Sequence, residues 1–140
     1  MPLWILYALF SALGAAGVAI FAKIGISQVD TTLATTVRAI IMAIFLVILS
    51  GALGKFSQLH SINQKAFLFI LLSGFAGAFS WMFYFMALKA GPAAGVVALD
   101  RLSVVFVLVL AAIFLSENLT IKSSIGAMLV TLGAILLAIK

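Results

Sequence analysis

Three charged side chains stand inside long apolar stretches of this sequence, and they are the residues best placed to do chemistry. They are Arg38, Asp100 and Arg101, in a chain with eight Lys or Arg and three Asp or Glu among 140 residues. Asp100 is the carboxylate placed to take up a proton or bind a cation. Ser80 and Trp81, in a different apolar stretch, add a hydroxyl and an indole that can border the same polar layer.

This sequence contains few of the residue types that support catalysis. Cysteine is absent and His60 is the single histidine, which excludes disulfides, thiolate nucleophiles and the usual histidine-based sites. No spaced pair of carboxylates and no serine with a neighbouring base is available. We therefore expect a protein that is not an enzyme and that holds no metal or cofactor.

The composition indicates an integral membrane protein. Hydrophobic residues make up 66% of the chain, charged residues 8%, and the mean hydropathy is +1.41, whereas soluble domains are about 25% charged. A bilayer core about 30 Å thick needs about 20 apolar residues per helix. Five spans are therefore predicted, at residues 3–22, 32–51, 66–88, 94–115 and 122–139. Because these runs are continuous rather than alternating, they indicate an all-α bundle over residues 1–140 and exclude a barrel.

The positive charges are scattered singly at the ends of the spans. The net charge of +5 therefore indicates no nucleic-acid partner, which would require clustered Lys and Arg. Five spans put the termini on opposite sides, with lysines on both: Lys55, Lys65 and Lys122 on one, Lys23, Lys89 and Lys140 on the other. The Lys and Arg residues of the loops set the orientation of a membrane protein. Because the two sides differ so little in these charges, the chain is compatible with insertion in either orientation. An antiparallel homodimer can form from such a chain.

The intramembrane charges are expected to share one depth. Asp100 and Arg101 lie roughly 10 Å inside the fourth span, and Arg38 lies similarly deep in the second span, counted from the same side. Asp100 and Arg101 point about 100° apart on a continuous helix. We therefore expect Asp100 to pair with Arg38 across helices, leaving Arg101 to reach the surface or to meet an anionic group.

Two interpretations of this charged layer stay open at this point. In the first, the charges form an ion-paired cluster that fixes helix packing and does nothing more. In the second, Arg38, Asp100 and Arg101 border a polar cavity, with Ser80 and Trp81 opposite them.

Small residues and turn signals add local expectations. The last span carries a stripe of small residues at Ala127, Thr131, Ala134 and Ala138. Such a stripe marks a face that contacts another helix. Pro92 is expected to end the third span and allow a tight restart. Thr120 is a candidate N-cap for the last span, and Asp30 a loop or cap residue before the second.

Two segments resemble a known family. They are "FAKIGISQVDTTLATTVRAI" at 21–40 and "GPAAGVVALDRLSVVFVLVLAAIFLSENLT" at 91–120, followed by a glycine-spaced last helix. Together they resemble the EamA domain of the drug/metabolite transporter superfamily, over essentially the whole chain. Better-known members fuse two five-helix units in inverted orientation, and this chain resembles one unit. The resemblance implies that helices one to four line a translocation path, which would place Arg38, Ser80, Trp81, Asp100 and Arg101 on lining helices.

Two departures limit what the resemblance implies. The Asp100–Arg101 pair replaces a stretch that is often apolar or proline-containing in ten-helix members, and the first helix lacks the membrane-embedded glutamate of the smaller four-helix multidrug exporters. Proton coupling of that kind is therefore not carried over.

The function expected is that of a secondary transporter half in a prokaryotic inner membrane. It would work as a homodimer, with an antiparallel arrangement favoured, and would move a small polar or cationic metabolite or drug by alternating access. The alternative is an accessory membrane subunit that acts with another protein, similar to subunits that flip lipid-linked sugars.

Overall fold

The computed structural model describes residues 2–139, so that Lys140, counted above among the charges of one side, lies outside the described residues. Over these residues the chain forms six α-helices and one 3₁₀ helix. In chain order these are α1 (Leu3–Gly25), α2 (Thr31–Ala52), the 3₁₀ helix (Lys55–Ser61), α3 (Gln64–Ala90), α4 (Ala93–Asp100), α5 (Ser103–Phe114) and α6 (Ile121–Ala138).

Five helical segments are long and apolar enough to cross a membrane, which confirms the predicted fold class. They are α1, α2, α3, the continuous stretch Ala93–Phe114 made of α4 and α5, and α6. In the most apolar window of each segment, at most 11% of the residues are buried. Helices that leave most of their large apolar side chains exposed need lipid or further protein around them. The protein is therefore a multi-pass membrane protein.

Helix ends follow the signals in the sequence. Asp30 caps α2, its Oδ1 accepting a hydrogen bond of 2.9 Å from the backbone N–H of Leu33. Thr120 caps α6 in a capping box, in which its side chain and that of Ser123 each accept from the other's backbone N–H. Pro92 is the N-cap residue of α4, so the chain restarts within two residues of the end of α3. All three predicted boundary residues are confirmed.

The contacts divide the chain into two compact units. One unit is Ala22–Lys89, which holds the end of α1, all of α2, the 3₁₀ helix and nearly all of α3. The other joins Met1–Phe21 to Ala90–Lys140 and holds the rest of α1 with α4, α5 and α6.

In the second of these units, α6 packs against α4 and α5. Gly95 of α4 is buried where the two helices cross, and a Cβ built on it would lie 3.3 Å from the carbonyl oxygen of Leu137. A glycine fits this close approach, whereas a Cβ would require the α6 backbone to move by a few tenths of an ångström. Ala134 of the small-residue stripe is also buried, and Ala138 meets Gly95. Ala134 and Ala138, which are half of the stripe, therefore lie at a helix contact within the chain.

The fourth span is interrupted where the charges lie. The α-helical ladder gives way to i→i−3 bonds: Leu102 N–H donates to Leu99 O, Val104 N–H to Arg101 O, and Val105 N–H to Leu102 O. Asp100 is the last residue of α4, and Arg101 and Leu102 form the turn before α5. The prediction of one continuous α-helix for this span is therefore wrong at Arg101. At this point three residues are wound more tightly than in an α-helix.

In the unit Ala22–Lys89, two lysines cross-link the end of α1 and the following loop to the end of α3. The Lys23 ammonium donates to the carbonyl oxygen of Leu88, and the Lys89 ammonium donates to that of Val29 over 2.7 Å. Leu88 is fully buried. These bonds satisfy carbonyls at and near helix ends that have no intrahelical partner. They fix the end of α3 on which the candidate site is built.

Candidate functional site

Arg38 lies on α2, and its guanidinium stacks on the indole of Trp81 from α3. The guanidinium carbon is 3.6 Å from the centroid of the Trp81 ring and 5.8 Å from that of Phe85. A cation over an aromatic face contributes about 0.5–2 kcal/mol, more as water is excluded. This contact offsets part of the cost of a charge at bilayer depth, about 2.5–3.5 kcal/mol on insertion scales.

Neighbouring aromatic rings hold the indole in place. Trp81 meets the edges of Tyr84 and Phe85, with ring centroids 5.3 and 6.1 Å away. Phe85 is buried and lies one turn before the fully buried Leu88. Edge-to-face pairs of this kind add about 0.5–1.5 kcal/mol each. The platform under Arg38 is therefore anchored to the cross-linked end of α3.

A groove of about 590 Å³ runs between α2 and α3, and this stacked pair contributes to its lining. Its lining is mostly apolar or small, and Arg38 is its one charged residue. The volume falls within the range of ligand pockets, about 300–1,000 Å³. On α2 the lining residues recur at helical spacing, and on α3 two glycines open the wall. Representative lining residues are Thr35, Ala39, Met42, Ser73, Gly77 and Met82.

Two of the threonine hydroxyls in the groove already donate to their own helix. Thr35 Oγ1 donates to the carbonyl oxygen of Thr31 over 2.8 Å, and Thr36 Oγ1 donates to that of Thr32 over 2.9 Å. A hydroxyl has one proton to donate, so these two oxygens can only accept hydrogen bonds from a solute. Side-chain donors for a solute can come from Arg38, from the hydroxyls of Thr32 and Ser73, and from the indole N–H of Trp81.

The unit Ala22–Lys89 has no carboxylate near Arg38. Its single acidic residue is Asp30, which caps the start of α2 and lies eight residues, about 12 Å, before Arg38 along the helix. The counter-charge of Arg38 must therefore come from outside this unit or from a bound anion.

The remaining predicted site residues are Ser80, in the same unit as the groove, and Asp100 and Arg101, in the other unit. Asp100 and Arg101 are exposed at the turn between α4 and α5. Ser80 is exposed on α3, and among the described residues Ser73 lines the groove in its place. The structure thus brings Arg38 and Trp81 together, while the pairing of Arg38 with Asp100 stays a prediction.

Sequence reasoning missed the small-residue walls of the groove. Thr32, Thr35, Thr36, Ala39 and Ala43 follow one face of α2 at intervals of one, three or four residues. This is the spacing of a helix stripe, and Arg38 lies at its edge, about 60° beyond Thr35. A search for small polar residues in register with the intramembrane charge would have found it.

Comparison with known proteins was made on sequence and on structure. The model of the EamA-like transporter family matches residues 2–139. A protein from Sinorhizobium sp., named an uncharacterized transporter in the cobO 3' region, is 38% identical over 136 residues, which are 97% of this chain and 96% of the relative. No solved structure matches the chain.

Proposed function

Because the chain belongs to the EamA-like transporter family, we propose that it carries a small polar metabolite or drug across a prokaryotic inner membrane by alternating access. The observation that supports a transport site is the Arg38–Trp81 stack in the lining of the groove between α2 and α3. We assign solute binding to this pair. On the fourth span, Asp100 is proposed to bind the coupling ion and Arg101 to meet an anionic group. The role is transport and not catalysis.

A homodimer is proposed as the working form. Asp100 and Arg101 are exposed inside a membrane span, where each charge facing lipid would cost about 2.5–3.5 kcal/mol. A second copy facing them would remove this cost and add walls to the path. The Sinorhizobium relative supports this proposal, since 136 residues are 96% of its length and it too is named a transporter. Repeats in inverted orientation are also a common design among secondary transporters.

Water access to the groove tests the transport site. The chain contains no cysteine, so single cysteines can be introduced without background labelling. We expect Ala39→Cys, in the groove wall, to react with a membrane-impermeant maleimide at least about tenfold faster than Ile41→Cys. Ile41 is exposed on the same helix about 200° away, and the thiolate that reacts forms in water and not in lipid. Equally slow labelling of both cysteines in membrane vesicles would contradict a solute path here.

Dual orientation tests the antiparallel arrangement. A reporter that is active on only one side of the membrane is fused to the C-terminus, alongside a second reporter active only on the other side. We expect signal from both fusions, because the lysines differ little between the two sides. Signal from one fusion alone would exclude the antiparallel homodimer and would favour a parallel dimer or an accessory role beside another protein.

A further inference from the structure

We propose that the groove between α2 and α3 recognises an organic anion, namely a monocarboxylate with an apolar body. This inference rests on the transport function proposed above and names the substrate class of the same site. The sequence left open a polar or a cationic solute. The groove favours an anionic solute instead, because the charge in its lining is positive.

The charge of the lining carries the first step. Arg38 is the one charged residue that lines the groove, and Asp30, the single acid of this unit, is occupied as the cap of α2. A cationic solute would meet a permanent guanidinium with no lining carboxylate to offset the repulsion. An anion instead supplies the counter-charge that the unit Ala22–Lys89 lacks.

The geometry of Arg38 carries the second step. One face of the guanidinium is used in stacking on Trp81 at 3.6 Å. The N–H donors lie in the plane of the group, so stacking leaves its edges able to bind both oxygens of a carboxylate. A lysine at this position would keep the charge but would lose both the stacking and the two-pronged contact.

The arrangement along the groove carries the third step. On α2, Arg38 lies between two parts of the lining: Thr32, Thr35 and Thr36 precede it, and the apolar residues Met42 and Leu46 follow it. Leu46 is eight residues beyond Arg38, which corresponds to about 12 Å of helix. A carboxylate on Arg38 would therefore direct the rest of the solute along an apolar wall. Thr35 and Thr36, which can only accept hydrogen bonds here, would repel a second carboxylate placed beside them.

Matched probes that differ only in charge test the substrate class. The purified protein is titrated with 3-phenylpropionate, 3-phenylpropionamide and 3-phenylpropylammonium, and thermal stabilisation gives an apparent Kd for each. We expect the carboxylate to bind about tenfold or more tightly than the amide, since the ionic two-pronged contact is lost. In Arg38→Gln this preference should disappear, and in Arg38→Lys it should be reduced. Equal binding of all three probes, or preference for the ammonium, would overturn the proposal.

A lipid phosphate is the other source of an anion for Arg38. Short-chain phosphatidylglycerol is therefore added as a competitor, with short-chain phosphatidylcholine as its zwitterionic control. Stabilisation by phosphatidylglycerol that depends on Arg38 and exceeds that of 3-phenylpropionate would overturn the assignment to a soluble solute. The two proposals remain separable. Anion binding without transport in proteoliposomes would remove the transport function alone, whereas transport of a cation by the groove would remove this inference alone.

Discussion

Replacing Arg38 with alanine is expected to reduce transport by about tenfold to a hundredfold without unfolding the protein. The loss corresponds to about 1.5–3 kcal/mol for hydrogen bonds to a charged group. Stability should change little, because the cation–π contact with Trp81 contributes about 0.5–2 kcal/mol while removal of an intramembrane charge recovers a comparable amount. Transport is measured in proteoliposomes incubated with a metabolite mixture, by mass spectrometry of the solutes taken up.

Three further variants separate binding from packing. Arg38→Lys keeps the positive charge but loses both the stacking on Trp81 and the two-pronged contact with a carboxylate. We therefore expect partial transport from this variant. Trp81→Phe keeps an aromatic face under the guanidinium and should retain more activity than Trp81→Ala. If Arg38→Ala transported at the unmodified rate while its thermal stability fell, Arg38 would serve only to fasten the helices, as the first interpretation of the charged layer holds.

The fold was accessible from the sequence because its determinants are local. Continuous apolar runs of about 20 residues can only be helices in lipid, and all five predicted spans are present. The caps at Asp30 and Thr120 follow from single side chains that accept backbone N–H groups. Such features depend on residues three or four apart, which a sequence displays directly.

The site was accessible only in part because it depends on contacts between distant residues. The cost of charge in lipid indicated Arg38, and Trp81 was expected to border the same polar layer, but their stacking joins positions 43 residues apart. Ser80 was the predicted hydroxyl, whereas Ser73, seven residues earlier and close to the same helical face, lines the groove. The tightened turn at Arg101 was also missed, since no proline or glycine at Asp100–Leu102 marks it.

Filling the groove at Gly77 is expected to block transport. Gly77 lines the groove from α3, and a Cβ added to it meets no atom within 4 Å. Phenylalanine at this position can therefore be accommodated by the fold while its ring occupies space that the solute needs. Helix propensity also favours the change, because glycine is the least favourable interior residue after proline, by about 1 kcal/mol relative to alanine. Transport should fall at least about tenfold with the thermal stability preserved.

Gly133 provides the matched control. It lies in α6, a Cβ added to it also meets no atom within 4 Å, and among the described residues it is outside the groove lining. The measurement that tests the groove between α2 and α3 as the solute path is therefore the transport rate of Gly77→Phe relative to Gly133→Phe, at equal protein in the same proteoliposomes. We predict a ratio of about one tenth or less. A ratio near one, with both variants folded, would contradict the assignment.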